Sequence, residues 1–349
     1  MAFARAVQAS NSIEGYDASL DDVVAAVDHE PTLSADEETR LALGGYRDAM
    51  TYVLQVAQDP QTVSVDEGLL KSLHFMMLKH RLDKNPGRWR PGAIYVRREA
   101  TGEIVYEGPD AEQVSGLIAA TIDELEDSPA PVLIRAAMAH LNLVMVHPFS
   151  DGNGRMARCL QTLVLAREQI VAPVFSSIEE YLGRNTDAYY KVLGEVGQGQ
   201  WNPRHNARPW VRFCMTAHYH QARTQVRRIQ ETERLFIACG ELAERHGLPE
   251  RSAGGLAEAA LGFRLRNASY RQVVEVTYGE TLSDLTASRD LRALVDASLF
   301  KPIGERRGRY YVAEPKLLAE QKRIRASRAP RETDDPFERA LGQLELEVP

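Results

Sequence analysis

Apolar residues recur at intervals of three and four along most of this chain. Such ladders cover residues 41–57, 65–80 and 114–125, and each predicts an amphipathic helix that turns one face to a core. Short β-branched and aromatic runs occur at residues 94–96 and 104–106, on either side of a charged turn. The chain is therefore predicted to be mainly α-helical, with a small β-hairpin.

A polar segment separates two further apolar ladders, Ile134, Ala137, Met138, Leu141 and Met145 before it and Met156, Leu160, Leu163 and Val164 after it. Pro148 disfavours helical geometry at His147, so the first helix should end there. Gly152 and Gly154 permit a turn that points backbone N–H groups inward at the start of the second helix. This loop is predicted to bind an anion, and phosphate fits best.

The same segment contains candidate catalytic groups. Arg155 and Arg158 would face the anion from one side of the helix. Asp151 is a single carboxylate beside the predicted phosphates, which suits Mg²⁺, and His147 can accept a proton near neutral pH. Each residue alone has a structural reading, as a helix cap, a turn former or a solvated charge. Their combination points to phosphoryl or nucleotidyl transfer to a hydroxyl.

Two other ligand loops do not fit this segment. A calcium loop that begins at Asp151 needs glycine and glutamate where the chain has Met156 and Thr162, and a Gly-Lys-Ser/Thr phosphate loop is absent from the sequence. By contrast, residues 147–158, which read His-Pro-Phe-Ser-Asp-Gly-Asn-Gly-Arg-Met-Ala-Arg, resemble without a departure the signature of the Fic (filamentation induced by cAMP) family.

The resemblance implies a Fic-fold helical bundle and transfer of AMP from ATP to a protein Ser, Thr or Tyr hydroxyl. His147 would deprotonate the hydroxyl and Asp151 would hold Mg²⁺. The nucleotide-binding residues would be the anion-hole residues Gly152, Asn153 and Gly154, with Arg155 on a phosphate and Arg158 on the γ-phosphate. Because a phosphorylating branch of the family has lysine at the place of Gly154, this glycine favours AMP transfer.

The stretch Ser10-x-x-x-Glu14-Gly15 reads by itself as a short helix or turn with an exposed glutamate. It resembles the inhibitory motif of one Fic class, in which the glutamate pairs with the second signature arginine. The resemblance implies that Glu14 bridges Arg158 and that Ser10 orients the inhibitory helix. A carboxylate beside two arginines would compete with phosphate oxygens for the same donors.

The hairpin and a tyrosine pair give two further expectations. By resemblance, residues 94–106 form a flap that clamps the backbone of the target, and the alternative is a structural arm. The flap residues are Ile94, Tyr95, Val96, Ile104, Val105 and Tyr106. Residues 178–193 are predicted to be one helix, in which Tyr190 would wall the adenine pocket. Gly197 stands where some relatives have asparagine, which leaves recognition of the base open.

Beyond residue 228 the pattern changes. Residues 269–276 and 283–300 are predicted to be helices, followed by a short hairpin at residues 301–312. This order resembles a winged helix-turn-helix domain, with residues 286–291 on the recognition helix. Its basic residues Arg289, Arg292, Arg306, Arg307 and Arg309 can follow a phosphate backbone. The rival is a protein-docking or structural appendage, since the same helix carries Asp284, Asp290 and Asp296.

Composition sets the outer limits. With 349 residues, 44% of them hydrophobic and 26% charged, the chain fits a soluble globular protein of more than one domain. We expect N-terminal helices with the inhibitory motif at 1–60, the catalytic core at 61–228, a winged helix at 229–320 and a charged tail at 321–349. Without a membrane-length apolar run or a secretory signal, a cytoplasmic location is expected. Three cysteines without a Cys-x-x-Cys pair predict neither a disulfide framework nor a zinc site.

The resemblance to the Fic family thus implies an autoinhibited protein adenylyltransferase that uses ATP and Mg²⁺ and also modifies itself, with a homodimer as a possible assembly. Two alternatives stay open. The same site can remove AMP from a modified protein, with Glu14 activating water. Alternatively, the protein is a DNA-binding regulator whose enzymatic site is secondary, although a net charge of −7 argues against bulk electrostatic binding of nucleic acid.

Overall fold

The computed structural model describes residues 2–27, 34–58, 64–98, 101–168, 177–305, 308–328 and 335–337. The chain divides into two compact units, residues 1–223 with 334–349, and residues 224–333. The described residues are mainly helical, with two small antiparallel hairpins, which confirms the predicted fold class. No helix among them is long and apolar enough to cross a membrane.

The first unit is a helical bundle with one hairpin. Its helices are α1 (Ala2–Ser12), α2 (Leu20–Val27), α3 (Glu37–Val56), α4 (Glu67–Leu78), α5 (Val114–Asp127), α6 (Val132–Val146), α7 (Asn153–Arg167), α8 (Glu179–Arg184), α9 (Thr186–Gly197) and α10 (Arg208–Arg245), whose last part belongs to the second unit. Strands β1 (Tyr95–Arg97) and β2 (Ile104–Glu107) pair antiparallel. The single helix predicted for residues 178–193 is wrong, because Asn185 leaves helical geometry at φ −128° and separates α8 from α9.

Local signals start the helices and close packing fixes them. The Asp36 and Asp66 side chains cap α3 and α4 by accepting the amides of Thr39 and Leu69, each at 2.7 Å. All residues of α7 from Arg155 to Ala166 are buried, so this helix is central to the unit. The first turn of α7, which follows the polar motif, is therefore held from several sides.

The second unit contains α11 (Ser252–Ala260), α12 (Asn267–Tyr278), α13 (Asp284–Asp296), β3 (Phe300–Ile303), β4 (Tyr310–Ala313) and α14 (Pro315–Ala326). The helix predicted for residues 283–300 ends earlier, because Ser298 adopts a left-handed φ of 57° and Phe300 opens β3. Leu265 pairs with Tyr311 beside the hairpin. This order matches the expected winged helix, and that assignment stays a prediction; Arg306 and Arg307 and residues 329–334 and 338–349 lie outside the described residues.

Candidate functional site

The polar motif forms a tight loop between α6 and α7. His147 ends α6 in left-handed geometry (φ 51°), and its amide donates to the Leu143 carbonyl at 2.9 Å. Gly152 turns the chain into α7 with φ 73°. The Asn153 side chain closes the loop, since its amide group donates to the Phe149 carbonyl and accepts the Phe149 N–H, both at 2.9 Å. The predicted helix break is confirmed, and the Asn153 side chain proves to be a brace of the loop.

His147 is held in an orientation that suits a base. Its Nδ1 lies 3.1 Å from the Val144 carbonyl, to which it can only donate, so Nε2 keeps the free lone pair. Burial lowers the pKa of His147 below its usual range, against the hydrogen bond to Val144, which raises it. The imidazole is therefore neutral near pH 7 and able to accept a proton.

Arg90 supports the loop and was missed by the sequence analysis. Its Nε donates to the His147 carbonyl at 2.9 Å, and its backbone amide donates to the Pro148 carbonyl at 2.9 Å. The remaining guanidinium nitrogens donate to the carbonyls of Gly92 and Pro109, which lie on either side of the hairpin. This buried arginine thus joins the loop between α6 and α7 to the base of the β1–β2 hairpin.

His74, a residue of α4, supports the loop through hydrogen bonds and ring stacking. The Gly87 amide donates to its Nδ1 at 2.8 Å, so its Nε2 donates to the Asp151 carbonyl at 3.0 Å. The ring stacks on Phe149 at a centroid distance of 3.7 Å. Burial lowers the pKa of His74 to about 4, so the ring stays neutral and keeps both hydrogen bonds.

Both motif arginines are buried beside the glycine turn, each about 1% exposed. A Cβ atom at Gly152 would lie 3.7 Å from Arg155 Nη2, and one at Gly154 would lie 3.2 Å from Arg158 Nη1. Among the described residues, Nε and Nη1 of Arg155 and Nη1 of Arg158 have no hydrogen-bond partner. Buried donors next to the start of a helix favour a bound anion.

The segment from Ser10 to Gly15, predicted to be inhibitory, reaches the same place from the N-terminal side of the chain. Arg158 Nη2 donates to Glu14 Oε1 at 2.7 Å and to the Ser10 carbonyl at 2.9 Å, and Arg158 Nε donates to Ser10 Oγ at 2.7 Å. Gly15 ends the turn after α1 with φ 84°. Ser10 thus contacts Arg158 directly, through its hydroxyl and through its carbonyl, whereas the sequence analysis predicted only that it orients the helix.

Glu14 covers the first turn of α7. A Cβ atom at Gly154 would collide with Glu14 Oε1, so a larger residue there would displace the carboxylate from this position. Burial raises the pKa of Glu14, but the charges of Arg158 and Arg155 and the hydrogen bond from Arg158 outweigh it, and the pKa falls below its usual range. The glutamate is thus ionised and occupies the position where an anion would contact the turn and Arg158.

The other predicted residues lie at the margin of this site. Tyr190 is 51% exposed, and its hydroxyl donates to the Ile13 carbonyl at 3.3 Å, beside the inhibitory turn. Tyr106, predicted as a target-docking residue, is instead buried; its hydroxyl donates to the Met145 carbonyl at 2.7 Å and anchors the hairpin to α6. Its ring packs on Gly197, where a Cβ would lie 3.2 Å away.

The remaining flap residues flank an open strand edge. Among the described residues this sheet contains only β1 and β2, with a single bridge from Glu107 to Gln200 on the far side of β2, so Val96 lies on an edge strand; Tyr95 and Ile104 are 42% and 46% exposed. Val105 lies in β2, and the Ile94 carbonyl extends the pairing by accepting the Gly108 amide at 3.2 Å. An edge of this kind can accept an extended peptide.

A buried carboxyl group beneath α1 was also missed. Glu179 is 2% exposed, and the Tyr46 hydroxyl donates to its Oε1 at 2.6 Å. Burial raises the pKa of Glu179 to about 7, whereas the Tyr46 bond and the charge of Arg158 lower it. Glu179 and Glu180 stand in the first turn of α8, where glutamate is common. The sequence therefore gave no sign that Glu179 is buried.

Asp151 is the candidate metal ligand. Its Oδ1 accepts the Gly152 amide at 2.6 Å. The described residues contain no cluster of three or more His, Cys, Asp or Glu side chains that could enclose a metal ion. A single carboxylate beside an anion site fits Mg²⁺, which usually takes one or two carboxylates and completes its shell with phosphate oxygens and water.

Comparisons with known proteins agree with this site. Residues 64–165 match the Fic/DOC family. The chain is 28% identical over 211 residues to protein adenylyltransferase Fic of Nematostella vectensis, covering 58% of this chain and 44% of the relative. It is 33% identical over 161 residues to protein adenylyltransferase fic-1 of Caenorhabditis elegans. That alignment covers 45% of this chain and 28% of the relative.

A solved structure gives the same fold. The crystal structure of a Fic family protein from Desulfovibrio desulfuricans G20 aligns with a TM-score of 0.55 and 22% identity, over 90% of this chain and 86% of that one. This chain spans less than half the length of the curated relatives named above. Loop, fold and sequence similarity agree over residues 64–165, the part of the chain that matches the Fic/DOC family.

Proposed function

We propose that this protein is a protein adenylyltransferase that moves AMP from ATP to a hydroxyl group of a protein, itself included, and that Glu14 restrains it. The observation that supports this most directly is the buried Arg155–Arg158 pair beside the Gly152–Gly154 turn, with the lone pair of His147 Nε2 on the same loop. The relatives named protein adenylyltransferase support the same chemistry.

In this reaction the hydroxyl oxygen of the target attacks the α-phosphorus while its proton passes to His147 Nε2. The bond between the α-phosphorus and the bridging oxygen breaks, and pyrophosphate leaves. The α7 amides and Arg155 would stabilise the charge that develops on the phosphate oxygens. Arg158 would bind the γ-phosphate once Glu14 releases it.

Asp151 would hold Mg²⁺ through the carboxylate oxygen that does not bond to Gly152. When bound, the ion neutralises phosphate charge. We expect Asp151→Asn to shift the Mg²⁺ dependence of transfer to higher concentrations. The edge of β1 would align the target backbone, and Tyr190 would lie against the adenine.

The experiment compares wild type, Glu14→Gly, and Glu14→Gly with His147→Ala after incubation with ATP and Mg²⁺, by intact mass. We expect an adenylate adduct to form mainly in Glu14→Gly, and to fall about 10²- to 10⁴-fold when the base is removed. The matched control is Glu14→Gly with His246→Ala, in which the lost histidine belongs to the second unit. An undiminished adduct without His147 would overturn the mechanism.

Removal of AMP is the second candidate, because the Glu14 carboxylate lies at the anion site and could activate water there. Incubation of a purified adenylated target with wild type separates the two activities. Release of free AMP by wild type, lost in Glu14→Gly, would favour removal over transfer.

A further inference from the structure

A groove lies on the first unit, between α9 and the first part of α10. Its volume is about 970 Å³, and most of its lining is apolar. A cleft of this size can hold part of a short peptide as well as a small molecule. The apolar residues of α9 and α10 that line it, with the residue just before α10, are Val192, Ala207, Pro209, Val211, Phe213 and Met215.

The chain places a short segment of its own at this groove. Residues 335–337, which read Asp-Pro-Phe, belong to the first unit although they follow the second unit in sequence. Arg212 Nε donates to Asp335 Oδ2 at 2.6 Å, and Thr216 Oγ1 donates to Asp335 Oδ1 at 3.4 Å. Arg212 and Thr216 are four residues apart on α10, so they present a cation and a hydroxyl to the same carboxylate.

The same segment shows which peptide shape the groove fits. Asp335 Oδ1 also accepts the Phe337 amide at 2.8 Å, so the carboxylate folds its own backbone into a turn. Pro336 restricts φ in the middle of this turn and so reduces the freedom that binding must remove. Phe337 lines the groove together with the apolar residues. The groove therefore combines a contact for an acidic residue with space for an aromatic residue two positions further on.

The segment is held by few contacts. The side chains of Arg212 and Asp335 are 39% and 28% exposed, and an ion pair open to solvent adds little to stability. Phe337 is 37% exposed, so its ring buries only part of its apolar surface. A segment held in this way can leave the groove when a competing peptide is present.

We propose that this groove is a docking site for a partner protein, and that it binds a peptide in which an acidic residue stands two positions before an aromatic residue. Residues 335–337 are the resident occupant, and a partner with the same chemistry displaces them. The acidic residue pairs with Arg212, and the aromatic ring enters the apolar part of the groove. A second copy of this chain brings the same Asp-Pro-Phe segment and is the rival occupant.

The test measures the fluorescence anisotropy of a labelled peptide with the sequence of residues 331–341, titrated with the full chain. Wild type should bind it weakly, because the tethered resident segment competes at a high effective concentration. Phe337→Ala in the chain should release the resident segment and tighten binding of the peptide at least about fivefold. Adding Arg212→Ala should remove most of this gain. The matched control is Phe337→Ala with Arg204→Ala, which removes an exposed arginine outside the groove lining and should keep the gain.

Altered peptides test recognition without any further change to the protein. Asp335→Asn or Phe337→Ala in the peptide should each weaken its binding to the Phe337→Ala chain at least about fivefold. Equal binding of all three peptides, or no binding to any form of the chain, would overturn the proposal. Light scattering measures the mass in parallel, and a wild-type dimer that becomes a monomer in Phe337→Ala would assign the groove to a second copy and also overturn it. These readouts are binding and mass, so they do not depend on AMP transfer.

Discussion

Arg155 and Arg158 lie one turn apart on the same helix and are equally buried, yet their surroundings differ. Arg158 donates to Ser10 and Glu14 through Nε and Nη2. Arg155 lies with its guanidinium 5.1 Å from the Tyr16 ring centre, and its Nε and Nη1 have no hydrogen-bond partner among the described residues. The Ser10–Glu14 segment therefore bonds two of the three guanidinium nitrogens of Arg158, and among the described residues it leaves Arg158 Nη1 and the Nε and Nη1 of Arg155 without a hydrogen bond.

If Glu14 inhibits the protein as proposed, it does so by occupying some of the arginine donors of the anion site and leaving others free. Two buried arginines would be costly if neither had a counter-charge. Glu14 supplies that charge to Arg158 with a geometry that a phosphate oxygen could reproduce. The same contact can therefore stabilise the resting protein and compete with the nucleotide.

The largest expected difference between the two arginines is in how much each contributes to the free energy of unfolding. Arg158→Ala leaves Glu14 and Ser10 without their buried partner and should lower the free energy of unfolding by about 3–5 kcal/mol. Arg155→Ala removes fewer hydrogen bonds and should cost about 1–2 kcal/mol. Denaturant unfolding followed by tryptophan fluorescence measures both, and equal losses would remove the distinction between the two arginines.

Ser10 sharpens the comparison further. In Ser10→Ala, Arg158 loses one hydrogen bond to the inhibitory helix, worth about 1 kcal/mol, so AMP transfer should rise about fivefold. Ser12→Ala is the control, because Ser12 Oγ donates within α1 to the Ala9 carbonyl at 3.0 Å. Initial rates of self-modification are the measurement, and an equal rise in both variants would argue for general loosening of α1.

The pH dependence of transfer gives the smallest effect. His147 acts as a base only when neutral, and burial lowers its pKa, so the acid limb should lie below the ordinary histidine value of about 6.5. The charge of Glu14 raises this pKa. In Glu14→Gly, the acid limb of the pH–rate profile should therefore lie at lower pH than in wild type, by less than about one pH unit. A limb above 6.5 would contradict the assignment.

Features set by neighbouring residues could be predicted from the sequence. The end of α6 at His147 follows from Pro148, and the turn into α7 follows from Gly152, because both act through backbone geometry. The pairing of Glu14 with Arg158 was anticipated from a family resemblance, since residues 144 positions apart give no local signal.

Features set by distant packing could not be predicted. Arg90 contacts the loop from 57 residues away, and a lone arginine in a charged segment has no pattern that marks it. Glu179 is buried where α8 packs on α1, with Gly183 against Ala9, and its partner Tyr46 lies 133 residues away in sequence. Ser298 ends a helix despite the apolar residues that follow it; its left-handed backbone lets the Leu299 amide donate back to the Leu294 carbonyl at 3.0 Å, and β3 begins at Phe300.

The most direct test of the account is the affinity of ATP and ADP, by calorimetry, for wild type and Glu14→Gly. If Glu14 blocks the arginine that binds the γ-phosphate, Glu14→Gly should tighten ATP binding about 10- to 100-fold and ADP binding less than about threefold. Adding Arg158→Ala should abolish the gain. An equal gain for both nucleotides, or none for ATP, would contradict the claim that Glu14 and the γ-phosphate compete for Arg158.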